Sequence, residues 1–489
     1  MNNKSENNRK NSCIELLNSF SEKEMDGLKK LVACTYFNTD KSIVELIDII
    51  KRNVWRKRQF NTELEEIIYN KLFNKKSKKN RLSELEKKRL STKMSVLMRL
   101  AEQFLKIEAL NDNKAYSSDL LLQKTLEKQQ FRLFQRHLNK DKKRLEAQPH
   151  QDFEHHRHQQ LIEENTLNYL HRSGELLKQD NLNELMYQAD IQYFLKKLSL
   201  FTTAISLQNI TSRRYDTAST ELMFAVLDLP RYASHPLVQI YRASIDLMQC
   251  PSEENYRQLL TTLDGNEATI SRVDLNNFYV VATNFCAQRI LEGKFDYQEL
   301  FELYRIMDEK DLLIEGNFIP IGKLKNTITA GCRVGEFEWA SALTDKYKNA
   351  VKKPIRESVY RFNMGAIAFY QNDYKMALHH LVRVDSINLT YDSDCRIMLV
   401  KSHYETDKEY DERTLQIFRS TEKYFNENQQ LTAKNKKAYK NFIRILINVY
   451  RVRHRATKMT LESIQEKLER QEVNSDKQWL MEKIGELSK

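Results

Sequence analysis

Apolar residues recur along this chain at spacings that place them on one face of an α-helix. Ile14 to Phe20 and the set Met25, Leu28, Leu31 and Val32 predict two short helices. A capping-type Ser21-Glu22-Lys23-Glu24 step introduces the second one. The Tyr36-Phe37-Asn38-Thr39-Asp40 step breaks the pattern and Ile43 to Ile50 resumes it. Between Glu84 and Leu105 the residues Leu85, Leu90, Met94, Leu97, Leu100, Phe104 and Leu105 are roughly in phase.

From about residue 111 to 200 the chain is rich in Gln, Lys, Glu and His. Leu120 to Leu138 and Leu161 to Leu177 there predict long antiparallel helices, with Lys140 to His150, which contains Pro149, as the loop or hinge. From about Phe201 the pattern shortens to helices of about 12–16 residues, a common length for helices in globular proteins. Four segments follow: a polar N-terminus expected to be disordered (1–12), a basic helical domain (13–110), a long-helix connecting region (111–200) and a helical repeat domain (201–489).

Composition agrees with an all-α chain. Only 10 glycines and 6 prolines occur in 489 residues, whereas a β-rich protein needs a turn signal every 8–12 residues or so. The six cysteines, Cys13, Cys34, Cys250, Cys286, Cys332 and Cys395, are scattered singly. That usage fits a reducing cytoplasm and offers no zinc or disulfide framework. Met1 to Asn11 lacks the apolar region of a secretory signal. No apolar run approaches the roughly 18 residues of a membrane span, and 221–229 is the nearest. Membrane insertion is therefore not expected.

Within the last segment a local motif repeats. Gly335-Glu336-Phe337 followed by Ala340 matches Asn372-Asp373-Tyr374 followed by Ala377, and a weaker copy, Lys408-Glu409-Tyr410, comes after it. Gly293-Lys294-Phe295 before Tyr297 fits the same turn chemistry. Asn363, Gly365, Asp373, Tyr374 and Ala377 fall at the relative positions of the tetratricopeptide repeat signature, so the stretch from about 277 to 452 resembles that family. A small residue at Gly365 and another at Ala377 let the two helices of a hairpin approach, and Tyr374 plugs the turn. Ile328 replaces the small first-helix residue in the preceding copy, and Arg413 or Thr414 replaces the small second-helix residue in the following one. The resemblance implies an α-solenoid of helical hairpins, with irregular hairpins as the alternative. The overall layout, with Phe-Ser-Glu-Lys-Glu at 20–24, Tyr-Phe-Asn at 36–38 and Leu-Phe at 72–73 before the repeats, also resembles a group of helical proteins from Bacteroidota; that likeness implies no activity.

In such solenoids the first helices line a concave face along which peptides lie. The resemblance places Lys325, Asn326, Thr329 and Arg333 on that face in one copy, and Phe362, Asn363, Ala366, Phe369 and Tyr370 in the next. The protein-binding candidates are therefore Lys325, Asn326, Arg333, Phe362, Asn363, Phe369 and Tyr370, with the amides of Asn326 and Asn363 suited to a peptide backbone. Phe362 and Phe369 also suit plain packing between repeats. A clamp for a C-terminal carboxylate is not expected, because Thr329, Cys395 and Leu399 stand where polar or basic residues would be needed.

The net charge of +12 is concentrated: residues 51–99 hold sixteen Lys and Arg against five Glu. A nucleic-acid or ribosome contact through Arg56, Lys57, Arg58, Lys75, Lys76, Lys78, Lys79 and Arg81 is the alternative function, with Trp55, Phe60, Tyr69 and Phe73 as stacking groups. The competing reading makes these lysines the wet face of amphipathic helices. A second basic stretch, Lys434 to Lys458, carries Phe442, Ile443, Leu446, Ile447 and Tyr450 as a buried stripe.

Catalytic templates fail one after another. There is no GxG and no HExxH, the P-loop fails because Gly293-Lys294 and Gly322-Lys323 are followed by Phe and Leu, and Gly331 and Gly335 flank Arg333 rather than a serine. His150, His155, His156 and His158 beside Glu154 could share a face at metal-pair spacing, but polar neighbours describe a solvated helix. The expectation is a non-catalytic cytoplasmic scaffold or adaptor, without cofactor or metal, that binds a protein or peptide partner.

Overall fold

The computed structural model describes residues 11–55, 62–73, 82–178, 180–211, 213–454 and 459–488. Among them the chain forms twenty-four α-helices and no β-strand. The chain divides into two compact units, one of Met1–Gln148 with His155–Asp190 and one of Pro149–Glu154 with Ile191–Lys489.

The first unit opens with α1 (Ser12–Ser19), α2 (Glu22–Ala33), α3 (Lys41–Asn53), α4 (Thr62–Leu72) and α5 (Glu84–Asp112). Asn11 caps α1, accepting from the backbone N–H groups of Cys13 and Ile14. Of the segment expected to be disordered, residues 11 and 12 thus belong to a helix and its cap; the rest lies outside the described residues. The Ser21 and Glu24 side chains form a reciprocal capping box on α2, and Ser83 with Glu86 does the same for α5. The apolar stripes converge on one core that includes Leu17, Met25, Leu28, Ile43, Ile47, Ile50, Leu97 and Phe104. Leu85, counted with the stripe, is 73% exposed.

Next come α6 (Lys114–Glu127), α7 (Phe131–Glu146), α8 (Phe153–Ser173) and α9 (Leu182–Ile210). The single helix expected over Leu120 to Leu138 is two, broken at Gln129, whose φ of 51° is left-handed. The loop expected over Lys140 to His150 begins only after Glu146, and α8 stops before Leu177. The boundary expected at 200 falls inside α9.

The histidine segment is not a solvated helix. His156 and His158 are each 4% exposed. Residues two apart on a helix point to widely separated directions, so α8 is covered on both sides. His156 Nδ1 meets Gln188 Oε1 of α9 at 2.8 Å, and His158 Nε2 meets Asp141 Oδ2 of α7 at 3.1 Å. Further along α8 the buried Asn165 is likewise satisfied inside the unit, its Nδ2 donating to Asp119 Oδ1 at 2.7 Å.

In the second unit α9 is followed by α10 (Ala218–Leu227), α11 (Pro230–Ala233), α12 (Pro236–Gln249), α13 (Glu253–Asn266), α14 (Arg272–Leu291) and α15 (Tyr297–Glu309). Then come α16 (Ile321–Val334), α17 (Phe337–Tyr347), α18 (Arg356–Tyr370), α19 (Tyr374–Leu381) and α20 (Leu389–Thr406). The last are α21 (Glu412–Glu427), α22 (Ala433–Arg453), α23 (Leu461–Glu469) and α24 (Lys477–Leu487). Lengths run from 4 residues in α11 to 21 in α22, a wider spread than expected.

From α12 onward, helices pack on the next in line, and α12 on α14, α16 on α18, α18 on α20 and α22 on α24 as well. The repeated motif falls at the turns of the pairs α14–α15, α16–α17, α18–α19 and α20–α21. Gly293, Gly335 and Asn372 occupy the same left-handed turn position, with φ of 69°, 90° and 62°. The fourth turn, Asp407 to Asp411, is longer and has no such residue.

Close helix approach comes from glycine, as the repeat motif implies for Gly365: a Cβ there would lie 2.7 Å from Leu381 Cγ and Cδ2. In the preceding pair the role passes to Gly331, where a Cβ would lie 3.0 Å from the Trp339 ring. One helical turn therefore separates the working glycine from Ile328, the residue that aligns with Gly365. Buried tyrosines tie pairs together: the hydroxyls of Tyr256, Tyr347 and Tyr450 donate to Glu299, Asp308 and Asp407 at 2.7, 2.6 and 2.7 Å.

Candidate functional site

The alternation of facing helices in the second unit builds an open cleft of about 750 Å³. On α16 the residues Lys325, Asn326, Thr329 and Arg333 recur with the spacing of one helix face. Phe362, Phe369 and Tyr370 of α18 adjoin them; α20 adds Asp394, Ile397, Met398 and Lys401, and α22 adds Asn435, Ala438 and Tyr439. Ser475 and Asp476 lead into α24, which closes the wall with Gln478, Trp479, Glu482 and Lys483. The first helix of each pair lines the cleft, while second helices contribute only Tyr374 at the start of α19.

Six of the seven residues expected to bind a partner therefore stand around one cavity. Asn363 does not: it is 1% exposed, and neither polar atom of its amide has a hydrogen-bond partner. The reason is local, since α18 is packed by α16, α17, α19 and α20, which cover most of its circumference. Phe362, 1% exposed, also serves the interior, with its ring 4.6 Å from that of Tyr391. Asn326 hydrogen-bonds to the Tyr304 hydroxyl, whose pKa burial raises to about 12 against that bond.

Charges in the cleft are mostly neutralised. Lys325 Nζ lies 2.5 Å from Asp394 and 5.6 Å from the Tyr391 ring centroid. Lys401, 6% exposed, pairs with Asp476 and lies over the Trp479 and Phe442 rings. Burial lowers the Lys401 pKa, with Asp476 opposing and Arg333 adding to the shift. Lys483 Nζ is 2.7 Å from Glu405 and 2.8 Å from Glu486. Arg333 differs: its guanidinium carbon lies 5.3 Å from the Tyr297 ring centroid and 5.0 Å from that of Tyr370, within cation–π range. Burial raises the Tyr370 pKa, and Arg333 opposes the rise.

Sequence reasoning missed the far wall. Lys401, Tyr439, Asp476, Trp479, Glu482 and Lys483 carry no repeat signature, and the last four come after the stretch that does. Met398 continues the register of Lys325 and Phe362 and was the one available signal.

The alternative nucleic-acid residues, Arg56, Lys57, Arg58, Lys75, Lys76, Lys78, Lys79 and Arg81, lie outside the described residues, as does Phe60. Their described aromatic companions are turned inward. Trp55 Nε1 donates to the Leu17 carbonyl at 2.9 Å, Tyr69 is 1% exposed, and Phe73 lies 4.6 Å from it, ring to ring. Nearby lysines are engaged, Lys93 with Asp40 and Lys87 with Glu84, each at 2.6 Å. Among the described residues no helix is long and apolar enough to cross a membrane, and no group of three or more His, Cys, Asp or Glu is placed to hold a metal. Compared with protein-family models, curated proteins and solved structures, the chain has no match in any of the three.

Proposed function

We propose that this chain is a non-catalytic cytoplasmic scaffold or adaptor that holds an extended peptide segment of a partner protein in the cleft lined by α16, α18, α20, α22 and α24. The carrying observation is the convergence of Lys325, Asn326, Arg333, Phe362, Phe369 and Tyr370 on one open cavity. Packing of every second helix, α16 on α18 and α18 on α20, supports the tetratricopeptide-like solenoid reading. The cavity is of the size of ligand pockets, about 300–1,000 Å³, and its walls mix amides, hydroxyls and ring faces, which suit a peptide backbone with alternating side chains.

A tagged full-length chain is recovered from native lysate at low and moderate salt, with and without nuclease. One stoichiometric protein that survives nuclease and salt, and is lost in Thr329→Trp, which fills the cleft, is the expected result. RNA or ribosomes that disappear with nuclease, or when Lys75, Lys76, Lys78 and Lys79 are changed to Glu, would overturn the proposal and move the function to the basic segment.

A further inference from the structure

We infer that the segment held in the cleft carries one carboxylate side chain that docks on Arg333. This rests on the peptide-binding reading above. Four cations line the cleft, and three are neutralised within the unit: Lys325 by Asp394, Lys401 by Asp476, and Lys483 by Glu405 and Glu486. Arg333 has no carboxylate partner among the described residues, and it is exposed. What holds it is aromatic, the rings of Tyr297 and Tyr370, each within about 6 Å of its guanidinium. A guanidinium fixed over ring faces has lost its rotamer freedom before the ligand arrives and still offers N–H groups at its edge for a bidentate bond.

Glu482 sets the number of charges. It is the one cleft carboxylate with no ion-pair partner among the described residues; it accepts from Gln478 at 3.2 Å. Arg333 and Glu482 both act on the Lys401 charge, so they share one electrostatic neighbourhood. A monoanionic carboxylate pairs with Arg333 and adds only one negative charge beside Glu482. A phosphate group, carrying about −1.5 to −2, or a run of acids would bring more negative charge against Glu482 and be repelled more strongly from that side.

The test pans phage-displayed random dodecapeptides on the full-length chain. Enriched sequences are then made as fluorescein-labelled, C-terminally amidated peptides in three forms, with Asp or Glu, with the corresponding amide, and with phosphoserine at the acidic position. Anisotropy titrations are expected to show the acid form binding about tenfold to a hundredfold more tightly than the amide form, the range for a charge-assisted hydrogen bond. R333Q should bring the acid peptide down to the amide level while leaving the amide peptide unchanged, and R333K should fall between. Matching circular-dichroism melts exclude misfolding of an exposed-site variant. Equal binding of acid and amide forms, tighter binding of phosphoserine, or indifference to R333Q would each refute the inference while the peptide reading stands. No enriched peptide, or peptides indifferent to T329W, would refute both.

Discussion

Gly365→Ala is expected to loosen the α18–α19 hairpin, although alanine is the better helix former. Intrinsic propensity alone favours the substitution by about 1 kcal/mol. Against this stands the space: the new methyl would sit 2.7 Å from Leu381 Cγ and Cδ2, and 3.3 Å from His380 Cβ. Ordinary contact begins near 3.4 Å, so one side must yield by most of an ångström. Leu381 is 1% exposed and packed in a cluster with Phe362, Ala377, Tyr391 and Cys395, so it has nowhere to swing. Overpacking of this kind costs about 1–3 kcal/mol, which leaves a net loss of up to about 2 kcal/mol once propensity is subtracted. Gly265→Ala in α13 is the control, because no atom lies within 4 Å of the place its methyl would take and only the propensity gain applies. Two compact units make a single global unfolding energy ill-defined, so the assay is amide hydrogen exchange. Amides of α18 and α19 should exchange up to about thirtyfold faster in G365A, and those of α13 slightly slower in G265A. Protection of α18 and α19 raised in G365A as much as that of α13 is raised in G265A would refute the close-approach argument.

Three other outcomes follow from buried groups. Cys34 and Cys250 are exposed, whereas Cys13, Cys332 and Cys395 are buried with thiol pKa values pushed to about 12, and Cys286 to about 11. A thiol reagent at neutral pH should therefore titrate two cysteines in the native protein and six after denaturation; rapid reaction of more than two would contradict the packing. Tyr450→Phe removes a hydroxyl that donates to Asp407 at 2.7 Å and accepts from the Asp411 backbone N–H at 2.9 Å. It should cost about 1–3 kcal/mol, read as faster exchange in α20, α21 and α22; no change would show these bonds to be dispensable. Burial lowers the His403 pKa below its ordinary 6.5, with Asp407 and Asp411 opposing. The unfolded chain then binds more protons than the native one below about pH 6.5, so stability falls as pH drops through that window. His403→Gln should flatten the fall, and an unaltered slope would remove His403 as a contributor.

Helix identity and caps were largely legible because they are local. Ser21 and Glu24 lie three residues apart, and Gly335 and Asn372 sit where a left-handed residue ends a helix. The break at Gln129 was not legible, since Lys128, Gln129 and Gln130 are ordinary helix formers and no local residue type marks a stop there. The burial of His156 and His158 was missed for the opposite reason: their partners, Gln188 and Asp141, are 32 and 17 residues away. The near wall of the cleft followed from a repeat that relates α16 to α18. The far wall depends on pairings such as Lys401 with Asp476, 75 residues apart, which no local pattern announces. Asn363 shows the limit of register: it aligns with Asn326, yet it falls on the packed side of α18 while α16 leaves Asn326 exposed.

The spread of the cleft's walls along the chain has a consequence for biosynthesis. Its lining runs from Lys325 to Lys483, and Lys401, nearly buried, has its ion-pair partner among the described residues in Asp476. A nascent chain that has emerged as far as α20 thus presents an unneutralised lysine and half a groove. Chains are made at about 5–20 residues per second, so an interval of several seconds separates the first wall from the last. A peptide held as proposed above would meet both walls only once α24 has emerged, and a ribosome-bound intermediate short of that point would expose Phe442-facing and Trp479-facing surface that the folded unit conceals.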